Sequence, residues 1–152
     1  MEGGTLKKKM FAVHHNEKAK NVIRKVLKEN SQLQETILDF MHVSQWINES
    51  RPVKCYTIQD KVTGKVVSFI LLSKMYYDPF KEQSRPFMLH FVYTVNEFRR
   101  QNFAYKLLIH IKDHEETTAF CSRSESEELF KKGGFGYYGY HGGVATYRFM
   151  KV

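Results

Sequence analysis

The stretch RPFMLHFVYTVNEFRRQNFAYKLLIHIKD, residues 85–113, decides the fold of this chain. Residues 87–95 are mostly aromatic and β-branched, which predicts a strand. A polar turn follows at 96–102, and from Phe103 onward apolar residues recur at helical spacing. A strand, a short basic turn and a helix aim several backbone N–H groups at one point, where the helix dipole adds positive charge. The turn is therefore a candidate phosphate cradle.

The rest of the sequence predicts strands and helices on both sides of this unit. Strands are expected at 9–14, 53–59, 65–73, 117–121, 135–140 and 144–151, and helices at 16–29, from 31 to a break at 51–52, and before Gly133. The strand at 65–73 is apolar on both faces, which predicts a central position in the sheet. The order β-α-α-β-β-β-α-β-α-β-β fits a mixed sheet with helices on both faces, in one domain spanning residues 1–152.

Composition narrows the classes of function. The chain is 42% hydrophobic and 26% charged, as in ordinary globular proteins, and no apolar run approaches the ~20 residues that span a bilayer. Its two cysteines, Cys55 and Cys121, suit neither a disulfide framework nor a metal site, so a reducing compartment is expected. The net charge of +8 makes this a basic protein and favours an anionic partner.

Two segments carry a family resemblance. RRQNFA at 99–104 resembles the (Q/R)-x-x-G-x-(G/A) pyrophosphate loop of the GNAT N-acetyltransferases, which in that superfamily lies between the fourth strand and the third helix. LFKKGGF at 129–135 resembles the L-Y-x-K-x-G-F segment that ends the fourth helix. The spacing of the segments and the order of the elements also fit, so the resemblance spans essentially the whole chain. It implies the α/β GNAT fold, a mixed, mostly antiparallel sheet of about seven strands flanked by about four helices.

The resemblance also implies a function. A GNAT enzyme passes acetyl from acetyl-coenzyme A directly to a primary amine, such as a protein lysine or N-terminus or a small amine, in a ternary complex without a metal. Backbone groups of Val92, Tyr93 and Thr94 would pair with the pantetheine arm, and one N–H would polarise the thioester carbonyl. The pyrophosphate would lie on the loop and the start of the helix, at Arg99, Arg100, Gln101, Asn102, Phe103, Ala104 and Tyr105, where the helix begins.

Three positions depart from the family pattern. Asn102 stands where the family has its first glycine, and asparagine tolerates left-handed backbone better than most residues. Phe130, expected at the cofactor site, stands where many members have a tyrosine that protonates the departing thiolate, and it has no hydroxyl. Met88 stands where some relatives have a glutamate base. The departure at Asn102 concerns affinity for the cofactor, and those at Phe130 and Met88 concern catalysis.

The acceptor amine must be neutral before it attacks. A free lysine amine has a pKa near ~10.4, so only about one in 2,500 is neutral at pH 7. His90 follows Met88 by two residues, on the same face of the strand, and its ordinary pKa near ~6.5 suits a general base. A structural histidine in a buried strand is the equal alternative. Tyr138 is the candidate acid, along with Tyr137 and Tyr140, and a purely structural role in the sheet is the competing interpretation.

Two other functions stay open. A GNAT-like domain without catalysis would bind coenzyme A or a partner, as the departures at Asn102, Met88 and Phe130 suggest. A module for nucleic acid or an anionic surface rests on net charge alone, since no zinc-finger or RNA-binding signature is visible. The sequence leaves open the acceptor and the oligomeric state, a homodimer included. It predicts a cytoplasmic protein, with the nucleus as the alternative.

Overall fold

The computed structural model describes residues 9–29, 52–74, 87–115, 117–121, 124–141 and 144–149. These ranges form one sheet of seven strands with three α-helices. The strands are β1 (Lys9–His15), β2 (Val53–Asp60), β3 (Val66–Lys74), β4 (Phe87–Thr94), β5 (Thr117–Cys121), β6 (Gly136–His141) and β7 (Val144–Phe149). The helices are α1 (Asn16–Glu29), α2 (Phe103–Lys112) and α3 (Ser124–Lys132). The second predicted helix and the loop at 75–86 lie outside the described residues.

The sheet is mixed and mostly antiparallel, as the sequence predicts. Its strand order is β1-β2-β3-β4-β5-β7-β6, and β4 and β5 are its parallel pair. The predicted central position of β3 is confirmed, because β3 lies between β2 and β4 and residues 67–73 are all buried. The described elements follow the predicted order, with boundaries that move by one or two residues.

Each face of the sheet carries a hydrophobic cluster beneath a helix. On one face, α1 packs Ala19, Ile23 and Val26 against β2, β3 and β4. On the other face, α2 and α3 cover a larger cluster, in which the buried positions of α2 are Phe103, Leu107, Leu108 and Ile111. Helical spacing of the apolar residues predicts both buried faces. None of the described helices is long and apolar enough to cross a membrane.

Strand β4 is irregular on both of its edges. Toward β3, Leu71 pairs with Phe91 but Leu72 pairs with Leu89, so His90 is the extra residue of a β-bulge. Toward β5, the parallel ladder joins Phe87–Leu89 to Thr117–Ala119 and does not continue. The backbone of β4 from His90 to Thr94 therefore leaves the β5 ladder, and the two strands form a fork.

A polar cluster anchors the C-terminal end of α2 to β2. Glu115 is 8% exposed, and its carboxylate pairs with the Lys54 ammonium and accepts a hydrogen bond from the Tyr56 hydroxyl at 3.0 Å. Burial raises the pKa of that hydroxyl, and the neighbouring carboxylate adds to the effect. These contacts join the end of α2 to β2, while the other end of the helix adjoins the turn after β4.

Candidate functional site

The turn between β4 and α2 has an unusual backbone. It contains one turn of 3-10 helix, Asn96–Phe98, and the Arg99 side chain closes it by donating from Nε to the Thr94 carbonyl at 3.0 Å. Arg100 and Asn102 have φ angles of 68° and 64°, in the left-handed region that favours glycine. Asn102 therefore adopts the backbone that glycine would supply at this position.

The N-terminus of α2 is left open by this backbone. The first intrahelical bond runs from the Lys106 N–H to the Asn102 carbonyl at 2.9 Å, so the helix begins at Phe103, two residues before Tyr105. The N–H groups of Phe103, Ala104 and Tyr105 have no acceptor within the helix, as is usual for a first turn. The Asn102 side chain does not cap them either. These N–H groups and the helix dipole are thus available to an anion.

A cavity of about 690 Å³ opens at this end of α2. Three elements line it: the end of β4, the turn with the start of α2, and one face of α3. Its lining residues are Thr94, Arg100, Asn102, Phe103, Ala104, Tyr105, Glu128, Leu129, Lys131 and Lys132. Three of these carry positive charge and one carries negative charge, so the walls are basic. The volume lies in the range of small-molecule and cofactor sites.

Two cations beside the turn lie over aromatic rings. The Lys132 ammonium is 4.6 Å from the centroid of the Tyr105 ring, and the Arg99 guanidinium is 5.4 Å from that of Tyr93. Aromatic faces attract a cation without neutralising its charge. The rings therefore hold positive charge beside the turn, where an anionic ligand would meet it.

The predicted cofactor residues are only partly gathered at the cavity. Those that line it are Thr94, Arg100, Asn102, Phe103, Ala104 and Tyr105. Arg99 and Gln101 belong to the same turn but are not among the lining residues. Val92 and Tyr93 lie on the part of β4 beyond the last pair of the β5 ladder. The Tyr93 side chain is buried in the cluster beneath α1.

Phe130 lies in the core. Its side chain is 2% exposed, and its ring centroid is 5.2 Å from that of Phe135 and 6.2 Å from that of Tyr147. Its sequence neighbours Leu129 and Lys131 line the cavity instead. The predicted contact between Phe130 and the cofactor therefore stays a prediction.

The two predicted catalytic residues lie on different strands. His90 is at the bulge of β4, beside the fork, and its side chain is outside the described residues. Tyr138 is on β6 at the sheet edge, and the Arg148 guanidinium lies 5.2 Å from its ring centroid. β5 and β7 separate β6 from β4, a distance of about 14 Å at roughly 4.8 Å per strand. The structure does not place Tyr138 at the cavity, and both roles stay predictions.

Sequence reasoning missed the contribution of α3 to the cavity. Glu128, Leu129, Lys131 and Lys132 line it. The two lysines belong to the LFKKGGF segment, so the family resemblance could have pointed to them. The prediction from this segment named Phe130 instead. Within the described ranges, no group of three or more histidine, cysteine or acidic side chains is arranged to hold a metal ion.

No protein-family model and no curated protein sequence matches this chain, whereas solved structures match it in fold. A GNAT-family acetyltransferase from Listeria monocytogenes superposes with a TM-score of 0.63 at 14% identity, covering 97% of each chain. The PaiA N-acetyltransferase of Thermoplasma acidophilum, solved with coenzyme A, gives 0.59 at 12% identity, covering 90% of this chain and 98% of its own. NAA60 of Arabidopsis thaliana, solved with acetyl-coenzyme A, gives 0.56 at 9% identity, covering 92% of this chain and 98% of its own. This chain has the GNAT acetyltransferase fold.

Proposed function

We propose that this protein is an N-acetyltransferase that passes acetyl from acetyl-coenzyme A directly to a primary amine in a ternary complex. The observation that carries the proposal is the open N-terminus of α2 at a basic cavity. A diphosphate takes its hydrogen bonds from free backbone N–H groups and gains from the helix dipole. The left-handed backbone at Asn102 leaves such groups free at Phe103, Ala104 and Tyr105. This arrangement suits the pyrophosphate of coenzyme A.

The similar structures support the choice of ligand. The Arabidopsis protein was solved with acetyl-coenzyme A and the Thermoplasma protein with coenzyme A, and each superposes on at least 90% of this chain. Acetyl-coenzyme A is accordingly the proposed acyl donor. The acceptor is a primary amine whose identity the proposal leaves open.

The fork between β4 and β5 supplies a place for the rest of the cofactor. Beyond Leu89, alternate N–H and C=O groups of β4 face away from β3 and are no longer paired with β5. An extended pantetheine arm would add to this edge as a strand does, pairing with backbone at Val92, Tyr93 or Thr94. One N–H directed at the thioester oxygen would stabilise the negative charge that develops there.

The transfer step then needs two proton movements. The amine nitrogen bonds to the thioester carbon and loses a proton, and the carbon–sulfur bond breaks to release coenzyme A as a thiolate. His90 is the proposed base, directly or through water, because its backbone lies at the bulge beside the fork. Tyr138 is the proposed acid, at a greater distance. A thiol is acidic enough that the thiolate can leave without such help.

A coenzyme A-binding domain without catalysis is the second candidate. Phe130 favours it, because this position in the LFKKGGF segment holds a buried ring that carries no hydroxyl. The two candidates share the cavity and differ only in turnover.

Calorimetric titration with acetyl-coenzyme A tests the binding half of the proposal. We expect micromolar affinity for the wild-type protein and its loss in Asn102→Trp, because the indole would fill the cradle. Asn21→Trp, a matched change at an exposed position of α1, should bind as the wild type does. No binding at near-millimolar cofactor would contradict both candidates.

Release of free thiol in the presence of an amine panel tests the catalytic half. His90→Ala should lower kcat at neutral pH and recover part of the rate at alkaline pH, where the amine is already neutral. His15→Ala, at an exposed position of β1, is its control. Tyr138→Phe should lower kcat, because it removes the hydroxyl of the proposed acid. Binding without turnover for any amine would favour the non-catalytic candidate.

A further inference from the structure

The side chain of Asn102 does not cap α2, although an asparagine that precedes a helix often does so. At such a position the side-chain oxygen normally accepts a hydrogen bond from an N–H of the first turn. Here Asn102 has φ 64° and ψ 22°, and its side chain makes no capping bond. A capping carboxamide would occupy the same N–H groups that the proposed function assigns to the cofactor. An anion site at this helix end therefore needs the carboxamide to lie elsewhere.

The Asn102 side chain contacts Lys132 instead. Its ammonium lies 3.3 Å from the side-chain oxygen of Asn102 and donates to it. The same ammonium lies over the ring of Tyr105, 4.6 Å from the centroid, so it is held between two residues at the start of α2. Lys132 is the last residue of α3, and all three residues line the cavity. The contact thus joins α3 to α2 across the wall of the proposed cofactor site.

Lys131 provides an internal comparison. It lines the same cavity and carries the same charge, but its ammonium lies 3.9 Å from the Glu128 carboxylate, one turn back on its own helix. The two lysines therefore add similar charge to the cavity. They differ in their partners, because Lys132 donates a hydrogen bond to Asn102 and Lys131 pairs with Glu128.

We propose that Lys132 is a positioning residue that holds the Asn102 carboxamide out of the phosphate cradle. This inference rests on the proposed function, because it assumes that the cradle binds the pyrophosphate of coenzyme A. With the carboxamide drawn toward α3, the left-handed asparagine leaves its backbone and the first-turn N–H groups open, as glycine would. Lys132 thereby makes an asparagine compatible with an anion site.

A double-mutant cycle on coenzyme A affinity tests the proposal. Lys132→Met should weaken binding about tenfold, the effect of losing one charge-assisted hydrogen bond. Asn102→Gly removes the side chain that Lys132 would hold, so it supplies the second background of the cycle. In the Asn102→Gly background, Lys132→Met should cost no more than Lys131→Met does. Lys131→Met should have the same effect in both backgrounds, because the Lys131 ammonium pairs with Glu128 and not with Asn102.

Two results would overturn the proposal. Equal losses from Lys132→Met in both backgrounds would mean that Lys132 acts on the ligand directly. In the ligand-free protein, the NMR signals of the Asn102 side-chain amide should shift in Lys132→Met and not in Lys131→Met. Unchanged signals in both variants would contradict the contact between Lys132 and Asn102. If the wild-type protein binds no coenzyme A, the proposed function fails. If it binds coenzyme A but the effects of Lys132→Met and Asn102→Gly on affinity are additive, the proposed role of Lys132 fails and the proposed function stands.

Discussion

The Leu108 side chain lies directly against the backbone of Gly133. A Cβ at Gly133 would be 2.6 Å from the Cδ2 of Leu108 and 3.3 Å from the carbonyl oxygen of Leu129. Leu108 is fully buried on α2, and Gly133 follows the last residue of α3. Lys112 donates from its ammonium to the Gly133 carbonyl and so holds the same junction. The cavity-lining lysines Lys131 and Lys132 immediately precede this junction.

Gly133→Ala should lower the free energy of unfolding by about 1–3 kcal/mol, because the added methyl group overpacks a filled core. Gly136→Ala is the matched control, since a Cβ there would have its nearest contacts at 3.8 Å. Urea unfolding followed by circular dichroism measures both variants. Equal stabilities would show that α3 moves away from Leu108 without loss, which contradicts a rigid junction.

Arg100 combines backbone strain with a charge at the cavity. Its φ of 68° costs an L-residue roughly 1–2 kcal/mol, whereas glycine adopts it freely. Arg100→Gly should therefore be more stable than Arg100→Ala by about 1 kcal/mol. Both variants should bind coenzyme A more weakly than the wild type, by similar factors, because both remove the same cation from the cavity wall. If the two variants are equally stable, residue 100 does not hold a left-handed backbone.

The His110 ring lies in an aromatic cluster on the face covered by α2. It stacks on Phe11 with 4.4 Å between centroids and lies 4.9 Å from His114 and 6.0 Å from Tyr56. Burial lowers the pKa of His110, the charge of His114 lowers it further, and Asp113 opposes the shift. The folded protein therefore favours the neutral ring.

Stability should consequently fall as the solution is acidified. Because the folded pKa of His110 lies below its unfolded value, the unfolded chain binds more protons, and the free energy of unfolding drops as pH falls through about 6.5. His110→Phe keeps an aromatic ring and removes the titration, so its drop between about pH 7 and pH 5 should be smaller. Burial also lowers the pKa of His14, so part of the loss of stability on acidification should remain in His110→Phe. An unchanged pH profile in His110→Phe would contradict the assigned role.

The sequence predicts the described strands and helices, and the reason is local. The apolar run of β4, the polar turn and the helical spacing from Phe103 are all short-range patterns, and each predicts its own conformation. Asn102 is a residue type that accepts a left-handed backbone, so its φ of 64° was foreseeable from one position.

What the sequence could not supply depends on contacts between distant segments. The fork opens because the β4–β5 ladder stops at Leu89, and no local pattern at residues 87–94 encodes where a parallel partner ends. The LFKKGGF segment identifies a motif but not the direction of each side chain, such as that of Phe130, whose ring lies in the core. The reach of Lys132 to Asn102, thirty residues apart, is likewise set by how α3 packs on α2.

Phe130→Tyr distinguishes a core role for this residue from a catalytic one. The Phe130 ring packs against those of Phe135 and Tyr147, and it is not among the residues that line the cavity. A hydroxyl placed there without a partner should lower the free energy of unfolding by about 1–3 kcal/mol and leave the rate of acetyl transfer no higher. Tyr147→Phe is the reference change in the same cluster. It removes a hydroxyl that donates to the Glu127 carboxylate at 3.0 Å, and its cost should be about 1 kcal/mol. Chemical unfolding and thiol-release kinetics are measured on both variants. Faster transfer by Phe130→Tyr at unchanged stability would instead place this ring at the reacting thioester, where the added hydroxyl could protonate the departing thiolate.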